Sequence, residues 1–225
     1  MNIVQKLKNN ESVTIAFLGD SVTFGAFEIG VDDPANGYVS YLAQNLRYLY
    51  PNADLRTVNA GISGDHSRNG AKRVEADVIA HKPDLTVVCY GLNDCGEIAY
   101  YAERYVRALE EIFNRLRACG SEVIFMTPNM MNTYAPEDMI PADLLPFAQS
   151  TMKRQNEGVF DIHIERAREL CREMNVPVCD CYAIWKTLAA SGVDTTALLC
   201  NRINHPAREM HRVFAYELVK TMLEC

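Results

Sequence analysis

Ser21 sits in Gly19-Asp20-Ser21-Val22-Thr23-Phe24-Gly25, directly after an apolar run. A hydroxyl at such a corner can act as a nucleophile if a base lies within hydrogen-bond reach. It can equally close a turn or cap a helix. A second glycine-bearing segment, Asn59-Ala60-Gly61-Ile62-Ser63-Gly64-Asp65-His66-Ser67, offers backbone N–H groups at a tight turn. Its Asp65 and Ser67 are also good helix caps. A third, Gly91-Leu92-Asn93-Asp94, presents an asparagine amide that can donate to a developing oxyanion or form an Asx turn. Near the end, Asn201-Arg202-Ile203-Asn204-His205-Pro206 fixes a histidine just before a proline that suits the first turn of a helix. Such a histidine can serve as general base. Taken singly, each segment has an ordinary structural reading.

These residues need elements to hold them. Short apolar, β-branched runs cover residues 13–18, 55–59, 85–90, 122–127 and 176–179, as strands buried on both faces do. Between them run helical stripes: Val39, Leu42, Leu46 and Leu49; Tyr105, Leu109, Ile112 and Leu116; Phe160, Ile164, Ala167, Cys171 and Met174. A last helix from Pro206 carries Met210, Phe214, Leu218 and Met222 on one face. Strand–helix alternation implies parallel strands, right-handed crossovers and helices on both faces, here one three-layer α/β/α domain over residues 1–225. Ligands of such sheets bind beyond the carboxyl ends of the strands, where the candidate segments fall.

In order and placement, Ser21, Gly64, Asn93 and His205 resemble the four signature blocks of the SGNH hydrolases, the GDSL-type esterases and lipases. The resemblance spans residues 15–214. It implies a flavodoxin-like parallel five-stranded sheet in the order 2-1-3-4-5. It also implies Ser21 as nucleophile, His205 as general base and then acid, and an oxyanion hole from the Ser21 N–H, the Gly64 N–H and the Asn93 side chain. Asp20 and Asp94 fall in the same blocks and are assigned to bonding nearby backbone.

One position departs from the pattern. The family places an aspartate three residues before the histidine; here that residue is Arg202. A cation cannot stabilise an imidazolium, and in a well-studied triad replacing the acid by its amide costs about 10⁴ in kcat. A Ser21–His205 dyad with Nδ1 held by a backbone carbonyl or Asn201 is the favoured expectation. Asp180 or Asp194 as a relocated acid, and a non-catalytic binding protein, are the alternatives. His66, His81, His163 and His211 compete less well for the base role, His81 and His163 being expected on exposed helical faces.

Residues 24–37 and 128–157 are the segments expected to shape a pocket, with Met130, Met131, Tyr134, Met139 and Phe147 as cover. The second can instead pack against the domain edge or a partner in a homo-oligomer. The charge balance, 22 Lys and Arg against 29 Asp and Glu, leaves no basic stripe for nucleic acid or an anionic membrane. No phosphate-binding loop is present, which opposes a nucleotide or flavin protein. Eight cysteines in so large and apolar a chain read as reduced thiols, and the start of the chain lacks a secretory pattern, which gives a cytoplasmic expectation. Cys179-Asp180-Cys181 lacks the companions of a metal site, so neither metal nor other cofactor is expected. The expected partner is a small-molecule ester, with an O-acetylated carbohydrate foremost. A short-chain lipase or thioesterase substrate is the alternative.

Overall fold

The computed structural model describes residues 1–96 and 99–225. Five strands, β1 (Ser12–Gly19), β2 (Asp54–Gly61), β3 (Leu85–Cys89), β4 (Glu122–Met126) and β5 (Val178–Cys179), form one sheet in the order β2-β1-β3-β4-β5. Every adjacent pair is parallel, with Phe17 beside Asn59 on one side and Val87 on the other. The helices are α1 (Asn2–Lys8), α2 (Ser21–Phe24), α3 (Tyr38–Leu49), α4 (Ser67–Asp77), α5 (Ala99–Ala118), α6 (Leu145–Asn156), α7 (Val159–Met174), α8 (Cys181–Ala190) and α9 (Arg208–Glu224).

Successive side chains of a strand point to opposite faces, and β1 divides accordingly. Ile15 and Phe17 pack with Leu42, Leu46, Trp185 and Phe214, while Ala16 and Leu18 pack with Val74, Leu109, Ile112 and Ala167. A strand buried on both faces has no polar side to alternate with, which is why these runs read as continuously apolar. Phe17 is fully buried; truncating it to Ala would cost roughly 3–5 kcal/mol through lost transfer energy and a residual cavity.

Two boundaries differ from expectation. β5 is only Val178–Cys179, shorter than the apolar run at 176–179. The last helix begins at Arg208, because Pro206 is taken into a bridge with Leu199. Among the described residues, no helix is long and apolar enough to cross a membrane.

The strand order reverses beside β1, where β2 lies on one side and β3 on the other. The chains leaving the ends of these three strands therefore emerge side by side, and they carry Ser21, Gly64 and Asn93.

Candidate active site

Ser21 opens the short helix α2, and Asp20 caps it by accepting the Val22 N–H at 3.0 Å. The first N–H groups of a helix have no carbonyl behind them, so the Ser21 N–H belongs to that unsatisfied end. Gly61 lets β2 end hard against α2, since a Cβ there would run into the backbone of Thr23 and Phe24. Gly64 has φ +76, a left-handed conformation that favours glycine, and the space beside it is open. Asn93 donates one Nδ2 hydrogen to the Asp65 carbonyl at 2.8 Å. An amide nitrogen carries two hydrogens, so the other remains available.

Beneath these groups lies an acidic cluster in which Asp20 and Asp65 are buried and Asp94 is half-buried. Asp94 accepts the N–H and hydroxyl of Ser67 at the start of α4. Asp65 is bonded by Arg73 Nε at 2.8 Å and by the Tyr90 hydroxyl at 3.0 Å. Arg73 also donates to the Ala60 and Gly19 carbonyls at 2.7 and 3.0 Å, tying the ends of β2 and β1 together. Burial pushes the Asp20 carboxyl up to about 7, with Asp94 and Asp65 adding to the effect against the Val22 N–H. Burial likewise pushes Asp94 up to about 6, against its bonds from Ser67.

His205 completes the arrangement. Its Nε2 lies 3.1 Å from Ser21 Oγ, and its Nδ1 lies 2.8 Å from the Phe27 carbonyl. A carbonyl only accepts, so Nδ1 carries the proton and Nε2 is left to accept from the serine. Burial lowers the imidazole pKa below its ordinary value, against the Phe27 carbonyl and the Asp32 carboxylate. The ring is therefore neutral, as a base must be, at neutral pH.

Three groups expected as partners for Nδ1 are engaged elsewhere. Asn201 directs its Oδ1 at the N–H groups of Ile203, Asn204 and His205, each at 2.9 Å, and so shapes the histidine loop rather than touching the imidazole. Asp180 caps α8, accepts from Thr127 and pairs with Arg168 at 2.8 Å. Asp194 accepts from the Tyr134 hydroxyl at 2.8 Å and the Ala197 N–H at 3.0 Å. Arg202, at the position of the family aspartate, has φ +58 and bonds the Thr196 and Ala197 carbonyls.

The competing histidines also have other work. His66 caps α4, and His211 is buried with Nδ1 accepting the Tyr38 N–H at 3.0 Å. His163, expected on an exposed face, is buried against Tyr105 because α7 packs its face on α5. His81 is half-buried in a short 3₁₀ turn.

Ser21, Gly64, Asn93 and His205 line one open cavity of about 410 Å³. Its rim adds the polar Glu28, Asp32 and Asn204 and the apolar Ile29, Leu144 and Phe147. Of the five residues expected as cover from 128–157, only Phe147 lines it; Met130 and Met131 are core residues. A second hollow of about 310 Å³, between α4 and α5, is lined by Arg68, Lys72, Arg104 and Arg107 and holds none of the four. Sequence reasoning missed the Phe27 carbonyl itself, since a backbone acceptor leaves no mark on side-chain type. The only signal was its place within 24–37.

A parallel sheet with a serine, a histidine and convergent amide donors at its switch point defines the architecture of a serine hydrolase. Residues 17–213 match the model of the GDSL-like lipase/acylhydrolase family, and the chain belongs to that family. It is 31% identical over 143 residues to an acetylxylan esterase from Geobacillus stearothermophilus, covering 54% of this chain and 62% of that protein. It is 31% identical over 123 residues to esterase TesA from Pseudomonas aeruginosa, covering 55% and 58% respectively. The matched region thus spans about three fifths of each relative's length. Among solved structures, a catalytic mutant of an acetylxylan esterase from Geobacillus stearothermophilus superposes with TM-score 0.70 at 23% identity, covering 93% of this chain and 94% of that one. A two-domain esterase active on acetylated mannans gives TM-score 0.73 at 19% identity, covering 99% of this chain and 52% of that one. At these identities the structures speak to the fold alone.

Proposed function

We propose that the chain is a serine esterase that removes a small acyl group, foremost acetyl, from a carbohydrate. The observation that carries this is the contact of His205 Nε2 with Ser21 Oγ at 3.1 Å while Nδ1 is held by a carbonyl at 2.8 Å. In the first step Ser21 Oγ bonds to the ester carbonyl carbon as its proton passes to Nε2. The carbonyl oxygen takes the electron pair and is met by the Ser21 and Gly64 N–H groups and the free Asn93 amide hydrogen. Each such donor lowers the barrier by roughly 3 kcal/mol. The carbon–oxygen bond to the sugar then breaks, and Nε2 returns the proton to the departing alkoxide. Water attacks the acyl-Ser21 as His205 takes its proton, and a second collapse frees the carboxylic acid while Nε2 returns that proton to Ser21 Oγ.

Two features support the sugar ester. The rim mixes carboxylates and an asparagine amide, which can hydrogen-bond hydroxyls, with Ile29 and Phe147, whose exposed faces suit sugar rings. The acetylxylan esterase among the relatives supports the same substrate class. We take residues 1–225 as one hydrolase unit, since one sheet carries the whole cleft. Eight unpaired thiols favour a reducing, cytoplasmic setting.

The test is a panel of p-nitrophenyl esters of increasing acyl length and acetylated xylooligosaccharides, run with wild type and Ser21→Ala, beside fluorophosphonate labelling. Acetyl release by wild type, lost in Ser21→Ala together with the label, is the expected result. A wild-type protein that neither turns over nor labels would be a binding protein. A preference for long acyl chains would move the assignment to a lipase or thioesterase.

A further inference from the structure

We infer that Arg208 is a positioning residue for His205: gripping the 27–33 turn from outside, it fixes the Phe27 carbonyl that orients the imidazole. The inference deepens the esterase reading, and its kinetic arm rests on that reading.

The base of the turn is closed by the Ala26–Asp32 bridge and by the Asp33 N–H on the Gly25 carbonyl at 2.8 Å, and Phe27 is buried, but the tip of the turn has fewer ties. Phe27 donates its N–H to Val31 at 2.8 Å, and Val31 donates to the Glu28 carbonyl at 3.0 Å, closing a tight loop. Ile29 and Val31 are exposed, so burial does not anchor that loop. Arg208, the first residue of α9 and three positions beyond His205, reaches across to it. Nη1 and Nη2 donate to the two carboxylate oxygens of Glu28 at 2.7 and 3.1 Å, and Nε donates to Asp33 Oδ2 at 3.0 Å. Glu28 begins the tight turn and Asp33 lies just past its other end, so one planar fork holds both. The guanidinium carbon also lies 4.3 Å from the centre of the buried Phe27 ring, while the His211 ring packs against that ring at 4.8 Å. The residue that carries the base loop into α9 is thus bonded to the loop that carries the base's acceptor.

The contacts explain how a family member without the usual aspartate keeps one tautomer. A flexible turn would let the carbonyl drift from Nδ1 and the imidazole rotate from Ser21. Lysine cannot replace the fork, since one ammonium does not present parallel donors to a carboxylate and a third donor to another. Ion pairs as exposed as these add little to global stability. A purely structural role would therefore leave the imidazole unchanged, whereas a positioning role alters it.

The experiment uses the full chain. Nitrogen-15 NMR of the His205 ring, without substrate, reads the tautomer in wild type, Arg208→Gln, Arg208→Lys and Asp33→Asn. The kinetics of p-nitrophenyl acetate hydrolysis are measured beside it. Wild type should show the Nδ1–H tautomer alone, and Arg208→Gln a mixture. Its kcat should fall roughly 10- to 100-fold, the scale of a misplaced reacting group, with KM changed less than about threefold. Arg208→Lys should fall between. If Arg208→Gln does not fold, Asp33→Asn, which removes one arm of the fork, supplies the same readout. A single Nδ1–H tautomer in every folded variant would overturn the inference. Because the tautomer is read without turnover, an inactive wild type would reject the esterase reading and still decide the role of Arg208.

Discussion

The two halves of the cleft are stabilised differently. On the nucleophile side, the buried Asp20 and Asp65 and the half-buried Asp94 lie under Ser21 and Asn93, with Arg73 as the cation bonded to Asp65. On the base side, His205 rests on neutral groups: the Phe27 carbonyl at Nδ1 and the Asn201 amide oxygen at its N–H. Charge there lies at the surface, in the Arg208 fork and in the exposed Asp32 carboxylate that acts on the imidazole. The nucleophile side must hold several backbone N–H groups toward one point, and carboxylates are strong acceptors for that purpose. The base side must hold one ring in one tautomer, which a single well-placed acceptor does.

The largest effect that would sharpen this contrast comes from Arg73. Arg73→Met leaves the Asp65 carboxylate buried without its cation, which should cost about 3–5 kcal/mol, read as a lower urea midpoint. A loss below about 1 kcal/mol would mean the cluster is held by its other bonds. Next, Asn93→Ala should lower kcat for acetyl ester hydrolysis by about 10²–10³, the loss of one oxyanion donor, with a smaller change in KM. An unchanged kcat would remove Asn93 from the chemistry.

The halves should also respond oppositely to pH. Asp20 has a folded pKa of about 7, raised from 3.8. Its contribution to stability is therefore fully present below the unfolded value and lost as pH rises through about 7. His211, on the base side, has a folded pKa pushed down to about 3 by burial, from 6.5. Its contribution is fully present above 6.5 and lost as pH falls through about 3. Asp20→Asn should flatten the decline in urea stability between pH 4 and 7, by about 1–3 kcal/mol. His211→Gln should flatten the loss on the acid side. The same slope in both variants would break the contrast.

The smallest expected effect is at Arg202. Restoring the family acid with Arg202→Asp should change kcat less than about threefold, because Nδ1 already has its acceptor and residue 202 is held in a left-handed turn directed at the 196–197 carbonyls. A tenfold or greater gain would show that the carbonyl is a poor substitute.

The sequence revealed one half of the cleft better than the other for the same physical reason. Ser21, Gly64 and Asn93 follow the ends of three neighbouring strands, and a parallel sheet puts those ends together once the strand order is known. His205 was marked by its proline. The groups that hold His205 were not marked, because one is a backbone oxygen and another, Arg208, acts on residues far away in the chain. Helix burial failed at His163 for a related reason: a stripe tells which residues share a face, not that a second helix covers the edge of that face. Asp180 and Asp194 were plausible acids from chain position alone; their bonds to Arg168 and Tyr134 depend on contacts that position does not encode.

The most direct test of a carbonyl-held dyad is kcat for acetyl ester hydrolysis by Asp32→Asn, Asp180→Asn and Asp194→Asn, measured beside wild type. Asp32 belongs in the set because its carboxylate acts on the His205 imidazole. Each variant is predicted to stay within about tenfold of wild type, whereas a loss near 10⁴ in any one, the cost of removing a triad acid, would contradict the account.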